Sequence, residues 1–190
     1  MDNKKYRYVA CDPDVRKAAY AVVDEEGFLV DSWTIDATNI EHSAIMHATS
    51  HPKHIEEGAI YVLTVESQEY YKGDDPRLVK SLLQLAKTCG ISMVYLSRMY
   101  PQHESLSLLL PKVWTKGRPK HVNQFWTIKN MGMTPVDSKS AKKYTYAKEL
   151  LGKHSASQQK HIMDAIAMAV HAKTAHQKQL KLDRFKKESK

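Results

Sequence analysis

Residues 6–35 read YRYVACDPDVRKAAYAVVDEEGFLVDSWTI, and this stretch decides the fold. It holds three runs rich in β-branched and aromatic residues, namely Tyr6–Asp12, Ala18–Val23 and Phe28–Ile35. Runs of this composition predict strands. Only four residues, Asp24-Glu25-Glu26-Gly27, join the second run to the third, so these two strands are predicted to form a hairpin.

Helices and further strands alternate after the hairpin. The signals follow one another in this order: Asn39 as a helix cap, His51-Pro52 as the helix stop, the strand Ala59–Glu66, Asp75-Pro76 as a helix start, Gly90 as its end, and the strand Ile91–Ser97. A strand–helix–strand unit of this kind implies that its two strands pair in parallel.

The second half of the chain is predicted to be helical, with helices over residues 117–132 and 139–151. Ser155 or Ser157 caps a last helix, which passes through His161 and Asp164 and frays into basic residues. The complete order predicts an α/β fold with a mixed five-stranded sheet and helices on its faces. We expect one domain over residues 1–173 and a basic C-terminal tail over residues 174–190.

The net charge of +8 is unevenly distributed. Residues 1–111 carry 11 basic and 16 acidic groups, a net of −5, whereas residues 112–153 carry 10 basic and 2 acidic groups, a net of +8. Residues 173–190 carry 7 basic and 2 acidic groups, a net of +5. A basic segment this dense, with aromatic residues interleaved, is typical of proteins that bind a phosphate backbone. A solvated face with a charged tail is the alternative interpretation.

Composition also disfavours several classes of protein. No apolar run approaches the roughly 18 residues that span a membrane, and the first residues carry no signal-peptide pattern. Cys11 and Cys89 both lie in apolar surroundings, which predicts reduced thiols and a cytoplasmic location. Two cysteines are also too few for a structural zinc site.

Three acidic residues occupy positions where a carboxylate needs a partner. Asp12 ends the first apolar run, Glu66 ends the fourth, and Asp164 lies in the nearly apolar segment 161–170, where it shares a helix face with His161. Burying an unpaired carboxylate costs several kcal/mol, and a shared divalent cation removes that cost. Oxygen ligands suit Mg²⁺ or Mn²⁺, and two such ions support phosphodiester hydrolysis by an activated water.

Each of these residues also has a simpler interpretation. An Asp after a strand is often a turn residue, as Asp12 would then be, and Glu66 has the position of a strand end in solvent. His161 and Asp164 could be a hydrogen-bonded pair in a core. The predicted order of strands and helix, which brings the three acids to one place, favours the functional interpretation.

With these motifs in this order, the chain resembles the RuvC-type Holliday junction resolvases of the ribonuclease H-like superfamily over most of residues 6–173. The resemblance is carried by Val9-Ala10-Cys11-Asp12-Pro13 with its hairpin, by Val65-Glu66-Ser67, and by the segment 161–169. Residues 111–120 resemble the basic loop and helix that such enzymes place near the junction. The short chain and the divergent motifs suggest a bacteriophage or other mobile-element version.

The resemblance implies a ribonuclease H-like mixed five-stranded sheet with helices on both faces. It also implies a homodimeric endonuclease that nicks opposed strands of four-way junctions in branched DNA, with two Mg²⁺ ions per site that Mn²⁺ can replace. The catalytic and metal-binding residues would be Asp12, Glu66, His161 and Asp164. In the family the position of His161 holds an acid or a histidine, so His161 is expected to bind metal or to position the attacking water.

The resemblance further implies a set of DNA contacts. The family places an aromatic side chain shortly after the second acid, where it stacks at the opened junction, and Tyr70 and Tyr71 are the candidates here. The other expected DNA-binding residues are Lys112, Trp114, Lys116, Arg118 and Lys120. One departure concerns Asp14, since the Asp-Pro pair is normally followed by glycine. Asp14 is expected either to add an outer-sphere carboxylate or to bond its own loop.

Three other functions fit parts of the pattern. One is another ribonuclease H-like endonuclease that acts on branched or flap DNA, and a second is a non-catalytic DNA-binding protein on the same fold. The third is half of an actin-like sugar kinase or ATPase, which shares the opening hairpin. Such kinases need glycine-rich phosphate loops, whereas this chain has 7 glycines and none of them cluster.

Overall fold

The computed structural model describes residues 4–50, 55–67, 79–119, 122–123 and 149–188. Its elements, in chain order, are β1 Lys5–Asp12, β2 Lys17–Val23, β3 Leu29–Asp36, α1 Ile40–Ser50, β4 Ala59–Glu66, α2 Val79–Met99, β5 His103–Leu109, α3 Pro111–Thr115 and α4 Ala156–Glu188. Among the described residues, none of the helices has the length and apolar character that a membrane crossing requires.

The strands form one mixed sheet in the order β3-β2-β1-β4-β5. β2 pairs antiparallel with both β1 and β3, whereas β4 pairs parallel with both β1 and β5. The hairpin and the mixed five-stranded sheet predicted from the sequence are thereby confirmed. The arrangement puts the carboxyl ends of β1 and β4 next to each other at one edge.

The turn of the hairpin is held by Asp24. Its buried carboxylate accepts hydrogen bonds from the backbone N–H groups of Glu26, Gly27 and Phe28 at 2.9–3.1 Å. Gly27 has a φ of +96°, in the left-handed region that glycine enters without steric cost. The turn therefore depends on both the acid and the glycine.

Helices cover both faces of the sheet, as predicted. Ile162 and Ile166 of α4 pack against Tyr8 and Ala10 on one face. On the other face α1 and α2 close a second core around Val9 and its neighbours. Because strand side chains alternate between faces, the residue two positions after Ala10 also faces α4. That residue is Asp12, so its carboxylate lies under α4.

The predicted fifth strand, Ile91–Ser97, is wrong. α2 continues through Gly90 to Met99, and the fifth strand is His103–Leu109 at the edge of the sheet. The buried residues beyond the glycine recur at i, i+3, i+4 and i+7, the spacing of a helix face: Ser92, Tyr95, Leu96 and Met99. A glycine inside a helix costs about 1 kcal/mol relative to alanine, which burial of this face offsets.

The last helix starts as predicted but does not fray where predicted. Ser155 is its cap, since the backbone N–H of Gln158 donates to Ser155 Oγ at 3.4 Å and the Ser155 N–H donates to Gln158 Oε1 at 3.0 Å. The helix then continues to Glu188. The predicted helix signals at His51-Pro52 and Asp75-Pro76 lie outside the described residues, as do most of 117–132 and 139–151.

Candidate active site

Asp12 and Glu66 lie side by side at the carboxyl ends of two parallel strands. The register of β1 and β4 ends at the pair Cys11–Val65, and the next residue of each strand is one of the two acids. Neighbouring strands are about 4.8 Å apart. Both acids are only 2% exposed, and strand alternation turns both toward the face that α4 covers.

Helix α4 brings a histidine and a third acid to this edge. His161 Nδ1 lies 2.8 Å from Asp12 Oδ2, and His161 Nε2 lies 3.9 Å from Asp14 Oδ2. Asp164 follows one turn later and is 3% exposed. Asp14 therefore lies on the Nε2 side of the imidazole.

The surrounding carboxylates raise the pKa of His161. The hydrogen bond with Asp12 is the largest cause, partial burial opposes it, and the charges of Asp12, Asp14 and Asp164 add to it. The carboxylates therefore stabilise the protonated imidazole relative to an isolated histidine, and Nδ1 is the ring nitrogen that faces Asp12. Three carboxylates that act on one imidazole make this edge of the sheet strongly negative, which is the electrostatic environment that attracts a cation.

Trp114 belongs to the interior of the site, whereas the sequence placed it on the DNA-binding surface. It is 4% exposed, and its indole Nε1–H donates to Glu66 Oε1 at 3.0 Å. Helix α3 is short, with Pro111 in its first turn and the left-handed residue Lys116, at φ 53°, as its end. The indole thus orients the Glu66 carboxylate, and its burial leaves no face for stacking on a base.

Three of the expected phosphate contacts are exposed around the buried indole, namely Lys112, Lys116 and Arg118. The turn that carries Lys116 and Arg118 is held from inside, since Asn123 Nδ2 donates to the backbone oxygens of Thr115 and Arg118 at 3.5 Å each. Tyr70, Tyr71 and Lys120 lie outside the described residues, so their roles stay predictions.

The donor chemistry of the site fits a hard divalent cation. Three buried carboxylates, from Asp12, Glu66 and Asp164, supply the oxygen ligands that Mg²⁺ and Mn²⁺ prefer. In the described part of the chain, however, no three His, Cys, Asp or Glu side chains are grouped closely enough to hold a metal ion as they stand. Asp12 is held by His161 and Glu66 by Trp114. The metal-binding roles therefore stay predictions.

Comparison with known proteins supports the fold. No protein-family model and no curated protein sequence matches the chain. Among solved structures it is similar to T. thermophilus RuvC in complex with Holliday junction substrate, at a TM-score of 0.55 and 13% identity, over 92% of this chain and 96% of that one. The chain therefore has a RuvC-like, ribonuclease H-like α/β fold, as predicted, while a bacteriophage source stays a prediction.

Proposed function

We propose that this chain is a divalent-metal-dependent DNA endonuclease that cuts four-way junctions. One observation carries the proposal. Asp12 and Glu66 are buried side by side at the ends of adjacent parallel strands, and α4 sets His161 against Asp12. Similarity in fold, over nearly the whole of both chains, to a RuvC solved with Holliday junction substrate supports the class of substrate.

The residues of the site have distinct roles in this proposal. Asp12, Glu66 and Asp164 supply oxygen ligands for two Mg²⁺ ions, and Trp114 orients Glu66 for this task. Bound divalent ions polarise a phosphoryl oxygen and lower the pKa of bound water. His161 is oriented by Asp12 through Nδ1, and it binds metal or positions the attacking water from its Nε2 side.

The cations that follow β5 hold the DNA in this proposal. Phosphates are contacted by four side chains: Lys112, Lys116, Arg118 and Lys120. Removal of any one of them should reduce the slope of log affinity against log salt concentration by about one unit. Tyr70 or Tyr71 stacks on an unpaired base at the crossover. Removal of that tyrosine costs roughly 1–3 kcal/mol on open junctions and little on duplex.

We infer that the enzyme acts as a homodimer, because paired nicks in a two-fold symmetric junction need two equivalent sites. The outer face of α1 and α2 supports this inference. A groove of about 740 Å³ opens there, and three apolar side chains in its lining are half-exposed or more: Ile45, Ile55 and Val94. Glu41 and Lys87 at the same groove pair with each other at 3.3 Å, so this pair presents no single-sign charge that would repel a second copy of the same patch.

The test is a cleavage assay on a labelled four-way junction and a linear duplex of the same sequence, in EDTA, Mg²⁺ or Mn²⁺. We expect paired nicks in the junction only when metal is present. Asp12→Asn and Glu66→Gln keep the shape and remove the charge, so cleavage should fall by orders of magnitude. Junction binding in EDTA should persist or improve, because a negative charge that faces phosphate is gone.

Glu57→Gln is the matched control. Glu57 is exposed in the turn that precedes β4, at the opposite end of that strand from Glu66. This variant should cleave like the wild-type protein. If Asp12→Asn or Glu66→Gln also cleaves at the wild-type rate, the role assigned to that residue is wrong.

A non-catalytic DNA-binding protein on the same fold is the second candidate. The observation that favours it is the lack of a three-donor metal group among the described residues. It predicts junction binding without Mg²⁺-dependent cleavage, so the same assay separates the two functions. A flap substrate in the assay distinguishes a junction resolvase from an endonuclease of broader branched-DNA specificity.

A further inference from the structure

A cavity of about 250 Å³, lined mainly by polar residue types, opens next to the candidate active site, on the side away from Trp114. His161 lines it and also contacts Asp12, so the cavity and the site share a wall. The cavity lies toward β2 and β3, whereas Trp114 contacts Glu66 at the end of β4. The remaining lining residues are Asp14, Arg16, Lys17, Ala19, Thr34, Ser155, Ser157 and Gln158.

Two cations in this cavity form no salt bridge in the described part of the chain. Arg16 and Lys17 are exposed side chains, and no described carboxylate lies within salt-bridge distance of either. Asp36 stands opposite Lys17 in the β2–β3 register; its carboxylate accepts hydrogen bonds from Thr38, and the charge of Lys17 also helps to lower its pKa. Arg16 is therefore available to an anion, whereas Lys17 already acts on one carboxylate.

The other polar groups of the cavity are mainly hydroxyls and an amide. Gln158 Nε2 donates to Thr34 Oγ1 at 3.2 Å, which ties the first turn of α4 to β3 and gives the cavity a fixed wall. The one acid in the lining, Asp14, lies against His161 Nε2 at 3.9 Å. The cavity thus combines two cations with neutral donors, which is the composition of a phosphate site.

We propose that this cavity, the Arg16 pocket, binds a DNA backbone phosphate that neighbours the phosphate cleaved at the active site. The inference rests on the proposed function. Arg16 and Lys17 supply the charge, and the Ser157 hydroxyl is an additional donor. Because His161 belongs to both places, the bound phosphate lies on the cleaved strand. That strand then crosses the edge of the sheet from the α3 cations to the Arg16 pocket.

The test uses four-way junctions in which single phosphates that flank the cleavage position are replaced, one at a time, by uncharged methylphosphonates. Binding is measured in EDTA, so that cleavage plays no part. Wild-type protein should lose roughly tenfold in affinity at one flanking position, the size of one charge-assisted hydrogen bond. The double variant Arg16→Gln/Lys17→Gln should bind the unmodified junction correspondingly more weakly, and the methylphosphonate at that position should cost it nothing further.

Lys80→Gln is the control, since Lys80 is an exposed lysine of α2, outside the Arg16 pocket and the groove of α1 and α2. Across a salt series the slope of log affinity against log salt concentration should fall by about one unit in the double variant, since one phosphate contact is lost, and should not change in the control. The proposed Arg16 pocket would be wrong if the affinity losses caused by the double variant and by the methylphosphonate were additive. It would also be wrong if the double variant had the same salt slope as the Lys80→Gln control. If wild-type protein binds no junction at all, the proposed function is wrong as well. If it cleaves junctions normally but the affinity losses are additive, only the proposed phosphate pocket is wrong.

Discussion

At the scale of single residues, His161 links helix α4 to strand β1 through one hydrogen bond of 2.8 Å to Asp12. Removal of the imidazole leaves a buried carboxylate without that partner, which costs about 1–3 kcal/mol of stability. A histidine at this position therefore affects folding as well as chemistry. Any variant of it needs separate measurements of stability and turnover.

His161→Ala is expected to lose most of the cleavage activity, whereas His161→Asp should keep part of it because an acid supplies an oxygen ligand. The ratio of the cleavage rate in Mn²⁺ to that in Mg²⁺ should also fall in His161→Asp, since imidazole suits Mn²⁺ better than Mg²⁺. Cleavage rates in each metal measure turnover, and urea unfolding measures stability. His42→Ala, at an exposed position of α1, is the control. Lower stability with intact turnover in His161→Ala would make His161 a core histidine only.

At the scale of the elements, α2 shows how a local signal was overridden. Glycine commonly ends a helix, but here α2 continues through Gly90 and buries Tyr95 and Leu96 beyond it. The apolar run after the glycine is compatible with either a strand or a helix face when it is considered alone. Burial against the sheet on a helical period decided between the two.

Gly90→Ala is expected to raise the free energy of unfolding by about 0.5–1 kcal/mol, because alanine is the better residue inside a helix. A Cβ atom at position 90 would meet nothing within 4 Å. Gly58→Ala is the matched control. Position 58 is equally open, but its φ of +75° strains an alanine, so this variant should be less stable than the wild-type protein. Urea denaturation at several protein concentrations checks this, as Gly90 also lines the groove of α1 and α2. Destabilisation by Gly90→Ala would contradict a continuous helix.

At the scale of the whole molecule, the two faces of the sheet have different properties. The α4 face carries the buried acids and, at its edges, the cations of α3 and the Arg16 pocket. The opposite face carries the groove of α1 and α2 with its exposed apolar side chains. In the proposed dimer, association through the groove would leave the face with the acids uncovered.

Val94→Asp is expected to prevent that association, because it places a charge in an apolar interface. Sedimentation should then show a monomer, and junction cleavage should change from paired nicks to single, uncoupled nicks. Leu182→Asp is the control, as Leu182 is an exposed apolar residue of α4 outside the groove. A Val94→Asp protein that stays dimeric and nicks in pairs would rule out this interface.

Local patterns were sufficient for much of this protein. The ends of β1 and β4, the hairpin turn at Asp24 and the start of α4 after Ser155 all follow from residue composition and spacing within short windows, because strand propensity, turn chemistry and helix capping act over a few residues. The predicted arrangement made the strands that end at Asp12 and Glu66 neighbours, and the structure shows that these strands, β1 and β4, pair in parallel.

Contacts between distant segments decided the rest. The choice between helix and strand after Gly90, the burial of Trp114 against Glu66, and the meeting of Arg16 with the start of α4 each depend on packing across many residues of sequence. An exposed and a buried tryptophan look identical in a basic segment of sequence. Only the tertiary structure assigns Trp114 to the interior, because the free energy of burial depends on which surfaces meet.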